Sequence, residues 1–177
     1  MCGRFLTEED DEMDALIELS RIGDAFKYGE VFPTNIVPVV TGAGTAAAMK
    51  WGFPGFAPGK PPLINARSET IATTRTFRKS FFERKCLVPA TAYYEWRPLP
   101  SKKKDKYEFA LADRKLIFMA GIYTENGEFA ILTRDATPEF RDIHERMPVI
   151  IPRERHAEWF NGKDVQENVT ELEFAKV

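Results

Sequence analysis

Hydrophobic positions along this chain change their spacing several times, and each change predicts an element. Met13, Leu16 and Ile17, joined by Ser20, recur at helical spacing behind the polar run Thr7-Glu8-Glu9-Asp10. That run supplies a side-chain cap and acidic residues for a first turn, so a packing helix is predicted from there to Gly23. Beyond Val31 the text turns to β-branched and small residues punctuated by Pro33, Pro38, Gly42 and Gly44, which predicts short strands at 37–41 and 46–51. The Gly/Pro-rich stretch 52–62 reads as an ordered surface loop. Phe77 and Phe81, four apart with basic residues between them, predict a short amphipathic helix within 74–84.

The second half is dominated by short apolar runs. Segments 86–89, 92–96, 107–112, 115–123, 128–134 and 148–151 read as strands, with Asn126-Gly127 as a hairpin turn. The lysine-rich run 101–106 reads as a solvated hairpin loop, with phosphate binding as its weaker alternative. A helical turn is expected at 138–143, and a helix at 153–160 that Asn161-Gly162 stops. The sum is an α+β fold of mainly antiparallel sheet, a closed or partly closed barrel with a few flanking helices. No repeat or linker divides it, so residues 1–177 are expected to form a single domain.

Composition narrows the function classes only slightly. A formal charge of −2 excludes a uniformly basic nucleic-acid coat while allowing a local basic groove. No apolar run approaches the roughly 20 residues that span a bilayer, and no signal-peptide pattern opens the chain, so a cytoplasmic location is expected. Cys2, Cys86, His144 and His156 are the only soft ligands, and none falls at structural-zinc spacing, so neither metal nor cofactor is expected. A Cys2–Cys86 disulfide is disfavoured in that compartment.

Chemistry concentrates at the first residues. Cys2 follows the initiator methionine, and a small residue there normally lets Met1 be trimmed, leaving a free α-amine beside the thiol. The amine can condense with an aldehyde to an imine, and the thiol can close onto the imine carbon as a thiazolidine. Glu95 lies between Tyr94 and Trp96 in an expected strand, where it either faces solvent or is desolvated with a raised pKa suited to proton transfer. His144 follows the helical turn, whereas His156 reads as a solvated helix residue. Arg4, Arg67 and Arg146 stand beside Cys2, Asn65 and His144, so convergence of those three would bring three guanidinium groups to one place, suited to phosphate. Three unrelated surface salt bridges would account for the same arginines equally well. Adjacent arginines would also raise the thiolate fraction of Cys2.

Five segments in order carry a family resemblance: Cys2-Gly-Arg-Phe5; Trp51-Gly52; Ile64-Asn-Ala-Arg-Ser-Glu-Thr70; Arg84-Lys-Cys-Leu-Val-Pro89 leading to Tyr94-Glu-Trp96; and Asp142-Ile-His-Glu-Arg-Met-Pro-Val149. Together they resemble the SRAP domain, the SOS-response-associated peptidase family. The resemblance implies recognition of abasic sites in single-stranded DNA and covalent bonding to them through Cys2, by a monomer, with strand cleavage and self-processing peptidase activity as secondary possibilities. It implies that Asn65 holds the amine or sugar, Glu95 moves protons, and His144 stabilises the opened sugar oxygen. Arg4, Arg67 and Arg146 would contact phosphates, and Trp96 and Trp51 would offer aromatic surface to the strand. Two departures stand out. Glu30 occupies the position of a family asparagine, and the finish at 168–177 is shorter than in many relatives.

Two other readings share these residues. In one, Cys2 is an N-terminal nucleophile that attacks an amide carbonyl, with Glu95 or His144 as base. In the other, the arginines with Trp51 and Trp96 form a non-covalent single-strand binding surface. Activity on amides would favour the first, and indifference to Cys2→Ser the second.

Overall fold

In the computed structural model, which describes residues 2–42, 44–57, 59–101, 103–163 and 171–177, the first element is a strand. β1 (Arg4–Thr7) ends on Thr7, the first residue of the run expected to open a helix, and α1 (Asp11–Ser20) begins after it. Asp10 is the cap, accepting from the amides of Glu12 and Met13 at 2.9 and 3.2 Å, and Asp11, Glu12 and Asp14 occupy the electropositive first turn. Arg21, at φ 57°, ends the helix two residues before the expected Gly23.

β2 (Gly29–Val31), β3 (Ile36–Gly42) and β4 (Thr45–Trp51) follow, then β5 (Asn65–Arg67), α2 (Arg78–Glu83), β6 (Lys85–Ala90) and β7 (Ala92–Pro98). β8 (Lys104–Ala110), β9 (Ile117–Tyr123), β10 (Glu128–Asp135), β11 (Arg146–Pro148), α3 (His156–Phe160) and β12 (Glu173–Lys176) complete the order. The strand expected at 148–151 lies instead at Arg146–Pro148, with Ile150 left in a single bridge to Met119, and the expected lysine loop gives its last residues to β8. β12 covers the edge of β8, pairing Phe174 with Phe109. Met1 and the first three residues of the finish at 168–177 lie outside the described residues. No helix among the described residues is long and apolar enough to cross a membrane.

The strands form two sheets. β10 pairs in parallel with β4, and antiparallel pairings then lead through β3, β6 and β9 back to β10, closing a barrel. β5 and β11 also hang on β10, at its far end. The second sheet runs β12-β8-β7-β1-β2, antiparallel throughout. β6 belongs to the barrel and β7 to the second sheet, so one chain segment joins both. At the crossing, Thr91 donates its amide to Leu6 O at 2.8 Å and accepts from the Glu8 amide at 2.9 Å, which ties β1 to the crossing point.

Close packing fixes the barrel wall. A Cβ at Gly121 would stand 2.8 Å from Cys86 Sγ, so only glycine lets β9 lie against β6 there. Trp51 is fully buried, stacked on Phe129 at 6.3 Å and tilted against Phe5 at 5.0 Å, with its indole N–H donated to Ile64 O at 3.0 Å. It therefore has no face to offer DNA, contrary to the sequence expectation; its neighbours from β10 and β1 make it the link between barrel and second sheet. Trp51→Ala is expected to cost about 3–5 kcal/mol of folding stability, measured by urea unfolding.

Candidate active site

β1 delivers Cys2 to the boundary between the two sheets. Its register on β7 pairs Arg4 with Tyr94 and Phe5 with Tyr93, and successive strand side chains point to opposite faces. Phe5, Tyr93 and Glu95 therefore share the inner face, where Tyr93 stacks on Phe109 at 4.7 Å. Arg4, Tyr94 and Trp96 share the outer one. The alternation settles the two environments open to Glu95: it points inward and is 3% exposed.

Cys2 is fully buried, with its thiol 3.6 Å from Arg4 O. Its own carbonyl accepts from Asn65 Nδ2 at 2.9 Å. Asn65 opens β5, and its pairing with Ile131 of β10 fixes where that amide points. The other amide atom, Asn65 Oδ1, is buried with no hydrogen-bond partner among the described residues, so it is available to a donor arriving in the site.

His144 follows the turn expected at 138–143, just before β11. His144 Nδ1 is held by the Arg146 backbone, 3.0 Å from its amide nitrogen and 3.1 Å from its carbonyl oxygen, which leaves Nε2 pointing into the site. Nε2 in turn lies 3.9 Å from Glu95 Oε2. Residues from β1, β5, β7 and the β10–β11 connection thus meet at one point: Cys2, Asn65, Glu95 and His144.

Burial governs the electrostatics. It pushes the Cys2 thiol pKa well above that of a free thiol, and the Glu95 charge adds to the shift. The expectation of an arginine-stabilised thiolate is therefore corrected, because the Arg4 guanidinium is turned to the outer face. Burial also raises the Glu95 carboxyl above the usual carboxylate range. The site holds a neutral thiol beside a carboxyl whose proton affinity has been increased.

The chain matches the SOS response associated peptidase (SRAP) family over residues 1–176. It belongs to that family. It is 32% identical to the abasic site processing protein YoqW of Bacillus subtilis, over 93% of this chain and 82% of that protein. It is 33% identical to the abasic site processing protein YedK of Escherichia coli, over 94% and 84%. A crystal structure of a protein from Bacteroides thetaiotaomicron has the same fold, with a TM-score of 0.81 at 20% identity, covering 99% of this chain and 92% of that one.

The arginines of this SRAP chain do not form one cluster. Arg67 is exposed, with no hydrogen-bond or ion-pair partner for its side chain among the described residues. Arg4 reaches Glu30 Oε2 at 3.2 Å, with its guanidinium 4.4 Å from the Phe32 ring centre and 5.3 Å from that of half-buried Trp96. Arg146 is buried and holds both oxygens of Glu69, at 2.6 and 2.8 Å, as well as Asp135 and Thr133 O. Both of its Nη groups meet protein acceptors, while Nε is buried without a hydrogen-bond partner among the described residues, so in this arrangement it braces β5, β10 and the His144 segment and does not face a phosphate. His156 is also not freely solvated: Nε2 lies 3.2 Å from Ile151 O and the ring packs edge-on against Phe118 at 4.6 Å.

Sequence reasoning missed Lys106, which binds Glu30 from the opposite side. Its only trace in sequence was the lysine run, read as a solvated loop. The register that opposes Lys106 to Trp96 on the outer face becomes visible only once β7 and β8 are paired.

Proposed function

We propose that this SRAP protein captures abasic sites in single-stranded DNA by bonding covalently to them through Cys2 once Met1 is removed. The observation that carries this reading is the convergence of Cys2, Asn65, Glu95 and His144 at the sheet boundary. The names of the relatives, abasic site processing proteins, supply the substrate class.

The chemistry follows from the groups present. The Cys2 amine attacks C1′ of the ring-opened deoxyribose, and loss of one water gives an imine. Because burial keeps the thiol protonated, addition of sulfur to C1′ needs a base, and Glu95 is the carboxyl whose raised pKa suits it to take the thiol proton and return it to nitrogen. The product is a five-membered ring of S, Cβ, Cα, N and C1′, formed with no oxidant or reductant. Asn65 Oδ1 accepts from the amine, and His144 meets the opened sugar oxygen through Nε2. Holding amine, thiol and aldehyde together makes the second bond effectively intramolecular.

Protein of confirmed mass without Met1, mixed with a single-stranded oligonucleotide carrying one abasic site, should give a slower band on a denaturing gel. Absence of that band would overturn the reading. Of the three arginines, Arg67 is the one whose side chain has no hydrogen-bond or ion-pair partner among the described residues. Arg67→Gln is expected to weaken binding to undamaged single strands regardless of sequence, and to flatten the plot of log affinity against log salt by about 0.7.

A further inference from the structure

On the outer face of the second sheet, one carboxylate holds two cations. Glu30 projects from β2, which pairs Glu30 with Leu6 of β1, and Lys106 projects from β8 opposite Trp96. Glu30 Oε2 accepts from Arg4 Nη1 at 3.2 Å, while Oε1 accepts from Lys106 Nζ. Glu30 and Lys106 come from the strands that flank β1 and β7, and Arg4 from β1 itself, so the sheet sets their meeting point. Lys106 also lies 3.7 Å from the centre of the Tyr94 ring, and Arg4 lies against Phe32 and Trp96. Aromatic rings thus support both cations beside the carboxylate.

The cluster borders the reactive residue, since Arg4 is two positions from Cys2. It is partly open to solvent: the side chains of Arg4, Glu30 and Lys106 are 39%, 29% and 24% exposed. A phosphate could reach it. The Lys106 ammonium, followed by Arg4, holds the Glu30 carboxyl below the usual range, so it stays ionised at neutral pH.

We infer that Glu30 is an internal competitor for DNA phosphate, occupying Arg4 and Lys106 in the free protein and lowering its affinity for undamaged single strands. A strand backbone that enters this face must displace the carboxylate or share its cations with it. Undamaged DNA makes only that exchange and leaves readily, whereas a strand with an aldehyde at Cys2 is retained by the covalent bond. Discrimination then comes from the chemistry of the lesion, with charge attraction held down on purpose. This inference rests on the proposed abasic-site reading for its biological meaning, but its measurement does not depend on Cys2.

The test is equilibrium binding of a fluorescent undamaged oligonucleotide over a salt series. Each phosphate contact on a single strand contributes about 0.7 to the slope of log affinity against log salt, which is about fourfold in affinity at ~0.15 M salt. Glu30→Gln is expected to bind about four- to fifteenfold tighter than the parent, with a slope steeper by about 0.7 to 1.4. Equal or weaker binding, or an unchanged slope, would overturn the inference and make Glu30 a positioning residue for Arg4. Thermal unfolding establishes that the variant is folded, and Glu30→Ser serves as a second neutral replacement. Crosslinking of the parent protein to an abasic strand is scored separately. Loss of that band with tighter Glu30→Gln binding would remove the proposed function and leave the competitor standing; the converse would do the opposite.

Discussion

Cys2→Ala is expected to lose the crosslinked band on an abasic strand entirely, and the way it fails should separate the two halves of the aminothiol. Alanine at the processed N-terminus keeps the α-amine, so an imine can still form and revert. Borohydride reduction should trap that imine as a stable amine-linked adduct in Cys2→Ala. Protein that retains Met1 should give no thiazolidine, because its Cys2 nitrogen is an amide, and borohydride should trap nothing at Cys2. If Cys2→Ala crosslinks as well as the parent without borohydride, sulfur forms no bond to the sugar and the mechanism fails. If Cys2→Ala gives no trapped adduct while the parent crosslinks, the amine is not the first nucleophile.

Glu95→Gln is expected to act in opposite directions on rate and stability. Removing a positioned proton-transfer group should slow crosslink formation about 10²–10⁴-fold. The same change should stabilise the fold near neutral pH. Burial raises the carboxyl pKa in the folded state above its unfolded value of about 4.3, so the unfolded chain ionises first as pH rises. Below the unfolded pKa the carboxyl is protonated in both states and has no cost. Stability therefore falls as pH climbs from about 4 to the folded pKa, and the cost persists above it. Glutamine does not titrate, so the melting temperature of Glu95→Gln should draw ahead of the parent between about pH 4 and pH 7. A gap that stays constant or shrinks over that range would show that the folded protein does not raise the Glu95 pKa. A variant that crosslinks at the parental rate would remove Glu95 from the chemistry.

What could be read from the sequence was the local content of the strong elements. β3, β4, β6, β7, β9 and β10 coincide with short runs of apolar and small residues bounded by turn residues, so their existence follows from pattern alone. β1, β2, β5 and β12 did not, because each has four residues or fewer and owes its conformation to a longer partner. Thr7 shows the conflict directly. It resembles a helix cap, yet pairing with Gly29 holds it in β1, and Asp10 takes the capping role three residues later.

The candidate site divides along the same line. Cys2, Asn65, Glu95 and His144 stand in motifs whose order exposed them, and the fold brings all four together. The charged residues were less readable, because an arginine's partner is chosen by strand register. Arg146 meets Glu69 across 77 positions of sequence, and Arg4 meets Glu30 across 26. Trp51 misled for a related reason: an indole beside a glycine-rich loop looks available, but the closure of β10 onto β4 places it inside.

β1 lies between β7 and β2, hydrogen-bonded on both sides, with Thr91 fastened to the residues at its end. Chain ends are ordinarily the loosest part of a domain. Here the segment that carries Cys2 is gripped as in a vice, with its register set by Phe5 opposite Tyr93 and Val31. Trimming a residue ahead of Cys2 would therefore rewrite the reactivity of the end without breaking any strand pairing of β1. The tool changes while the jaws stay closed.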